Sequence, residues 1–379
     1  MTISFRKQNT IDENELDDLF DNAVKIVTQY DRASASLIQR RLGIGYARAA
    51  RIIDQLEAAR VIGPPNGSQP NDVLIQSYEE FLEKAGKEPN VTQQDELDYP
   101  ENYNVPTVKL SNSSDVPWGK QFSEVFKSKD FQNLKSEFAI PIGYDDNGNL
   151  HTDSLLNAGN FIVAGNTLSQ KENFVDSILL TYLLRYRPQE LRLILHDPTH
   201  HLDLYNGIPH LLTPVVNDPG KFVSALEWTQ FEMDRRLKIF AQAGVRDIGS
   251  FNKLSGNDVL PHILLITFYS SSDWDTEDVI SQIAGVSSRT GIHTIIVVDR
   301  TTGKSLPTSF KSTIPARVVF RLSSAGESKA IDVSEAEKLE LGEIIYKPNF
   351  GGAEKLKAIY TSEANVREVM EAVKESADK

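Results

Sequence analysis

The stretch Phe161-Ile162-Val163-Ala164-Gly165-Asn166-Thr167-Leu168-Ser169-Gln170-Lys171-Glu172 decides how the larger part of the chain is read. A short apolar run ends in a glycine, crosses a polar loop and enters a helical pattern expected over Gln170 to Tyr186. Gly165 and Lys171 stand at the spacing of a phosphate-binding loop, G-x-x-x-x-G-K-[ST]. In that motif glycines let backbone N–H groups converge on phosphate, the lysine reaches its oxygens and the last hydroxyl ligates magnesium. Gln170 stands where the second glycine belongs, and its side chain obstructs the curl of the loop. Glu172 stands where the hydroxyl belongs. Its carboxylate opposes phosphate charge, and each like pair costs about 4 kcal/mol at ~4 Å and an effective dielectric near 20. The candidate nucleotide-contacting positions that remain are Gly165, Asn166, Thr167 and Lys171. A rearranged loop in which Glu172 binds magnesium directly is the other reading.

Outward from this stretch, apolar runs at Leu191 to Leu195, Ile263 to Ile266, Thr294 to Val298 and Arg317 to Phe320 alternate with helical patterns. Those patterns fall at Pro219 to Ala243 and Asp278 to Thr290. Short buried strands separated by helices predict an α/β fold with a mostly parallel sheet covered on both faces. The strand from Leu260 to Thr267 should end in an Asp and a Glu if it served a nucleotide, one for metal and one for water. It ends in Phe268 and Tyr269. Asp273, Asp275 and Glu277 follow in a loop and read as solvated. His196, His200 and His201 with Asp197 and Asp203 invite a metal-site reading, which is kept as the minor one because clustered His and Asp are common in loops and no further shell of ligands is visible. Ser169 and Ser270 to Ser272 lack the strained elbow and positioned base of a nucleophilic serine.

The chain has 379 residues, a formal charge of −13 and no cysteine, which excludes disulfides, thiolate catalysis and cysteine-held metals. No apolar run approaches the roughly 18 residues of a membrane span, and no signal-type segment follows Met1, so a cytoplasmic protein is expected. Lys84 to Ser114 is rich in Pro, Asn, Ser and acids and reads as an extended linker. Trp118, with Phe122, Val125, Phe126 and Phe131, reads as a segment packed onto the next domain. At the N-terminus a helix is expected from Asp12 to Tyr30, with acids filling its first turns. A second helix capped by Ser34 or Ser36 should run to Leu42, and Gly43-Ile44-Gly45 turns into a third from Tyr46 to about Ala59. Val61 to Gly67 and Val73 to Ile75 are expected to pair as a wing. From Arg32 to Arg60 six arginines face two acids, Asp54 and Glu57, a local basic face on an acidic chain.

The run S-L-I-Q-R-R-L-G-I-G-Y-A-R-A-A-R-I-I-D-Q-L-E-A-A-R-V-I-G-P-P-N-G resembles the gamma domain of FtsK-type bacterial DNA translocases, a winged helix that reads chromosomal guide sequences. Further on, Gly207-Ile208-Pro209-His210-Leu211-Leu212-Thr213-Pro214-Val215-Val216, Glu232-Met233-Asp234-Arg235-Arg236 and Ile314-Pro315-Ala316-Arg317-Val318-Val319-Phe320 resemble the RecA-like motor of the same family. The resemblance implies a winged-helix domain over 1–83, a linker and packing segment over 84–137, and a degenerate RecA-like motor domain of the P-loop type over 138–379. It implies double-stranded DNA as partner, with Tyr46, Arg48 and Arg51 near bases and phosphates and Arg40 and Arg41 on the backbone. The family usually carries Asn where Ala47 stands, so base preference is expected to be altered or relaxed.

The motor region departs from the family at Val298-Asp299, where a polar pair is usual, although Arg300 is kept. It departs again at Lys329, which stands after Ser328 where an Arg is usual. The order is permuted, because the gamma module precedes the motor here, and the protein is expected to lack the accessory domain and membrane segments that precede the core in translocases. The leading expectation is a DNA-binding pseudo-ATPase, with no cofactor and no metal, and with ATP and magnesium entering only if the degenerate site still works. Expected partners are translocase subunits, a tyrosine recombinase, or further copies of the chain. The alternatives are a divergent but active DNA translocase and a protein-interaction scaffold.

Overall fold

The computed structural model describes residues 2–4, 10–12, 16–17, 19–28, 32–42, 44–64, 70–75, 81, 103–255, 259–270, 276–298, 301 and 306–377. The chain divides into two compact units, Met1–Glu96 and Leu97–Lys379.

In the first unit α1 (Phe20–Val27), α2 (Ala35–Leu42) and α3 (Tyr46–Ala58) bury Phe20, Val24, Val27, Ile38, Ile52 and Leu56 in one core. These positions recur every three or four residues, which is why each helix has one apolar face. Ser34 caps α2 by accepting the Leu37 N–H (3.2 Å). Ile62 bridges to Val73, and Arg32–Ala33 pairs with Asn71–Asp72, so the expected wing pairing is present on either side of a turn outside the described residues. The first helix is shorter than its acidic run suggested. Thr10–Asp12 pairs with Thr2–Ser4 as strands, and the acids before Phe20 precede the helix instead of filling its first turns. Asp17 makes the entry: its carboxylate accepts the Leu19 N–H (3.0 Å) and its carbonyl the Phe20 N–H (2.9 Å). This local alternative to helical bonding is what aspartate offers at a helix start.

The second unit is built on a nine-stranded sheet among the described residues. In chain order its strands are β1 (Ala139–Tyr144), β2 (Leu150–Ser154), β3 (Asn160–Ala164), β4 (Leu191–His196) and β5 (His262–Tyr269). They continue with β6 (Ile292–Val298), β7 (Ala316–Val319), β8 (Glu343–Lys347) and β9 (Glu354–Lys357). Across the sheet the order is β2-β1-β9-β8-β7-β3-β6-β5-β4. The run from β7 to β4 is parallel, and the run from β7 to β2 is antiparallel. The antiparallel half was not anticipated.

Side chains alternate between two cores. Phe161 and Val163 of β3 join one, with Leu264 and Ile266 of β5, while Ile162, Ala164, Ile263 and Leu265 join the other. A strand apolar on both faces lies between helical layers. Helix α4 (Leu168–Leu183) lies in the first core, while α5 (Pro219–Gln242) and α6 (Glu277–Gly285) cover the second face. Asp218 starts α5 by accepting the Lys221 N–H (3.0 Å), followed by Pro219 at the first helical position. The chain packs onto this unit from Tyr103, whose ring meets His210 edge-on, and Leu110 is also buried, so packing begins before the expected end of the linker. Trp118 packs on the core and meets Tyr360 edge-on. No helix among the described residues is long and apolar enough to cross a membrane.

Candidate nucleotide site and nucleic-acid interface

In open α/β sheets ligands bind beyond the carboxyl ends of the strands where the strand order switches direction. Here that place is the end of β3, between β6 and β7. Only Gly165, Asn166 and Thr167 lie between the end of β3 and the start of α4 at Leu168. Gln170 and Lys171 are therefore already helical, and each is 3% exposed. The short loop is stitched to its neighbour: the Asn166 N–H donates to the Arg321 carbonyl (3.0 Å), and Asn166 Nδ2 donates to Ser323 Oγ (2.5 Å). Gly165 sits so close to β7 that a Cβ there would lie 2.6 Å from Phe320 Cβ. Lys171 Nζ donates to the Val298 carbonyl at the end of β6 (2.8 Å).

Glu172, one residue on, faces a second cluster. His201 Nε2 lies 3.1 Å from both carboxylate oxygens of Asp176, His201 Nδ1 lies 4.0 Å from Glu172, and Tyr205 donates its hydroxyl to Asp176 (2.8 Å). Burial pushes the Glu172 carboxyl above its usual range, with His201 opposing and Asp197 and Asp176 reinforcing. Burial by itself lowers the His201 imidazole, but the Asp176 hydrogen bond and the Asp176 and Glu172 charges hold it above its ordinary value.

At the end of β5, Phe268 points into the first core and Tyr269 into the second, 5% and 1% exposed, and Tyr269 meets Phe310 edge-on. The positions that would carry metal-binding and water-orienting acids are thus filled by packed aromatics. A magnesium triphosphate needs converging N–H donors, a lysine directed at phosphate and an oxygen donor to the metal. This donor set does not fit it: one loop N–H and the lysine bond to backbone carbonyls, and a carboxylate, Glu172, stands where the motif places a hydroxyl.

The remaining residues singled out in the sequence sort as follows. Asp273, Asp275, Asp299, Arg300, Ser271 and Ser272 lie outside the described residues. The histidine-rich segment is divided among separate contacts, His196 Nδ1 to Thr267 Oγ1 (2.9 Å), His200 to Asp203 (2.9 Å) and His201 to Asp176. Lys329 is exposed on the helix Ala325–Ala330, beside Ser328, which bonds Glu337 (2.6 Å). Neither the Val298 carbonyl nor the Arg321 carbonyl was foreseen as a partner of the loop, because backbone acceptors leave no mark on a sequence.

The second candidate surface is α3 of the N-terminal unit. Tyr46 at its first turn is 61% exposed, and Arg51 and, on α2, Arg41 are also exposed. Arg40 lies on α2, but its side chain is outside the described residues. Arg48, expected near bases and phosphates, is partly exposed, and its Nε and Nη2 fork onto the Asp17 carboxylate (2.9 and 2.7 Å). The exposed face of α3 is Ala47, Arg51, Asp54 and Ala58. Asp54 was missed, although its spacing of three from Arg51 marks it as a neighbour on one face, and an acid there can accept from a cytosine amino group. The start of α3, at Gly45, carries no acid in its first turn, which suits an approaching phosphate.

Comparison with known proteins gives two matches along the chain, the Ftsk gamma domain over residues 14–76 and the FtsK/SpoIIIE family over residues 121–332. A DNA translocase FtsK from Caldanaerobacter subterraneus subsp. tengcongensis is 36% identical over 264 residues, covering 67% of this chain and 37% of that protein. A DNA translocase SftA from Bacillus subtilis is 31% identical over 264 residues, covering 66% of this chain and 28% of that protein. The chain thus spans about a third of the length of the curated relatives it matches. Among solved structures, the pCW3 conjugation coupling protein TcpA in a monomer form with ATPgS aligns at a TM-score of 0.57 with 16% identity, over 86% of each chain. The cytoplasmic domain of the Thermomonospora curvata type VII secretion ATPase EccC aligns at 0.59 with 16% identity, over 69% of this chain and 34% of that one. Likeness at such identity concerns the fold alone.

Proposed function

The chain belongs to the FtsK/SpoIIIE family, and from that premise we propose that it binds double-stranded DNA through its N-terminal winged helix while its motor unit no longer hydrolyses ATP. It acts as a non-catalytic partner or regulator in chromosome or DNA processing, in the cytoplasm, beside translocase subunits, a recombinase or further copies of itself. The observation that carries the pseudo-ATPase reading is Lys171: the residue that would neutralise phosphate is buried in a helix that starts at Leu168 and bonds Val298. Supporting it are the aromatics at 268 and 269 and the carboxylate at 172. For DNA binding the support is the family of the N-terminal unit together with the exposed Tyr46, Arg41 and Arg51.

A second reading, a divergent but active translocase, is favoured by the retention of Lys171 and by relatives named DNA translocases. One experiment separates them: nucleotide binding and DNA-stimulated hydrolysis by the purified chain, beside a Gln170→Gly, Glu172→Thr variant. No binding by the natural chain, with binding regained in the variant, supports the pseudo-ATPase. Hydrolysis by the natural chain that disappears in Lys171→Ala overturns it.

A further inference from the structure

Asp17 touches α3 at two points. Its carboxylate takes Nε and Nη2 of Arg48 (2.9 and 2.7 Å), and its backbone N–H donates to Gln55 Oε1 (3.1 Å). The same residue starts α1 through the Leu19 and Phe20 N–H groups, so a single aspartate both begins one helix and grips another. On a helix of about 3.6 residues per turn, Arg48, Ile52 and Gln55 share one face, and Ala47, Arg51, Asp54 and Ala58 share another roughly 100° round the axis. Ile52 is buried in the core of the unit, whereas the second set is exposed throughout. A bidentate carboxylate–guanidinium fork fixes orientation as well as distance, and a single point charge does not. The edge of Arg48 that Asp17 occupies is the edge with which an arginine forks onto phosphate.

Resting on the DNA-binding reading above, we propose that Asp17 is a positioning residue: acting through Arg48, it sets the rotation of α3 about its axis and so aims Arg51 at the duplex. Arg48 is then a brace that makes no phosphate contact.

The test is duplex binding by the full chain across a range of salt concentrations. Arg51→Ala should weaken binding and reduce the slope of log affinity against log salt by about one. Asp17→Asn and Arg48→Ala should each weaken it roughly fivefold at an unchanged slope, as expected for partners of one interaction. Arg48→Lys, which keeps the charge and loses the fork, should weaken it similarly. The charge-swapped chain carrying Asp17→Arg with Arg48→Asp should bind more tightly than either of its single substitutions, because the fork is remade in reverse while the Leu19 N–H loses its acceptor in the swapped chain and in Asp17→Arg alike. A slope reduced by about one in Arg48→Ala, tighter binding in Asp17→Asn, or a swapped chain that binds no more tightly than its single substitutions overturns the brace while leaving DNA binding standing. Failure of the natural chain to bind duplex at any salt overturns both.

Discussion

Lys171→Met tests the nucleotide reading where it is most exposed to refutation. Methionine keeps the length of the side chain in its buried slot and removes only the ammonium. In a working motor this lysine serves phosphate, so its loss abolishes binding and turnover. Here it donates to the Val298 carbonyl at 2.8 Å, joining α4 to the end of β6, and its loss falls on stability instead. A hydrogen bond from a charged group contributes about 1.5–3 kcal/mol. Relief from burying the ammonium offsets part of this. A net loss of about 1–2 kcal/mol in a unit of this size corresponds to a fall of roughly 2–8 °C in the melting temperature of the α/β unit. The assay is calorimetry of natural and variant chains, with and without magnesium ATP. A ligand at one hundred times its dissociation constant adds about 2.7 kcal/mol to stability, so true binding at millimolar nucleotide is readily seen. A rise in the melting temperature of the natural chain with ATP, absent from Lys171→Met, would refute the reasoning.

Three further outcomes are expected. Burial pushes the imidazoles of His196, His210 and His293 down to about 4, so these side chains fold neutral and their contribution is present above the unfolded value and lost as pH falls. Stability should therefore fall as pH drops below about 6.5, and denaturant titrations from pH 7 to 5 should show the midpoint falling, less steeply in His210→Asn. His201 and Glu172 have the opposite sign: both are held above their ordinary values, so their contribution is present at low pH and lost as pH rises through the folded value. His201→Asn should therefore flatten the loss of stability as pH rises above the ordinary imidazole value of about 6.5, read by extending the titration to the alkaline side of pH 7. Gly165→Ala brings a Cβ to 2.6 Å from Phe320 Cβ and should destabilise the α/β unit by about 1–3 kcal/mol, measured by chemical denaturation, with no effect on the N-terminal unit. Ala47→Asn, on the exposed face of α3, should add about 1–3 kcal/mol of discrimination for adenine at one position of a duplex, read by competition among single-base variants of the site.

The parallel half of the sheet was legible because its strands are short and mostly apolar, and a sheet between two helical layers buries Phe161 to Ala164 and Ile292 to Val298 on both faces. The antiparallel half was not. Leu150-His151-Thr152-Asp153-Ser154 and Glu354-Lys355-Leu356-Lys357 are mostly polar, the first largely half-buried and the second largely exposed, and their strand character comes from pairing with neighbours. The third helix and its wing were read from period and turn residues, whereas the first helix was drawn too long because acids before a helix resemble acids within its first turn. At the candidate site, the substitutions at 170, 172, 268 and 269 were visible as letters. What Lys171 does instead was not visible, since its partner is a main-chain oxygen 127 residues away. The partner of Arg48 was hidden in a different way: residue type and helix position point an arginine at nucleic acid, and only the folded chain shows that Asp17, 31 residues away, takes its guanidinium.

The two aromatics that end β5 have a consequence for which substitutions the chain tolerates. Phe268 and Tyr269 are buried in the cores on opposite faces of the sheet, so restoring an acid at either place would empty a packed site and put a carboxylate into it. Truncating a buried aromatic costs about 3–5 kcal/mol before the carboxylate is counted, against a total stability of about 5–15 kcal/mol for a typical domain. An acid at either place would therefore need prior repacking of neighbours such as Phe310, which meets Tyr269 edge-on. On the pseudo-ATPase reading proposed above, the packing itself opposes the arrival of the acid, and no single substitution supplies one at low cost.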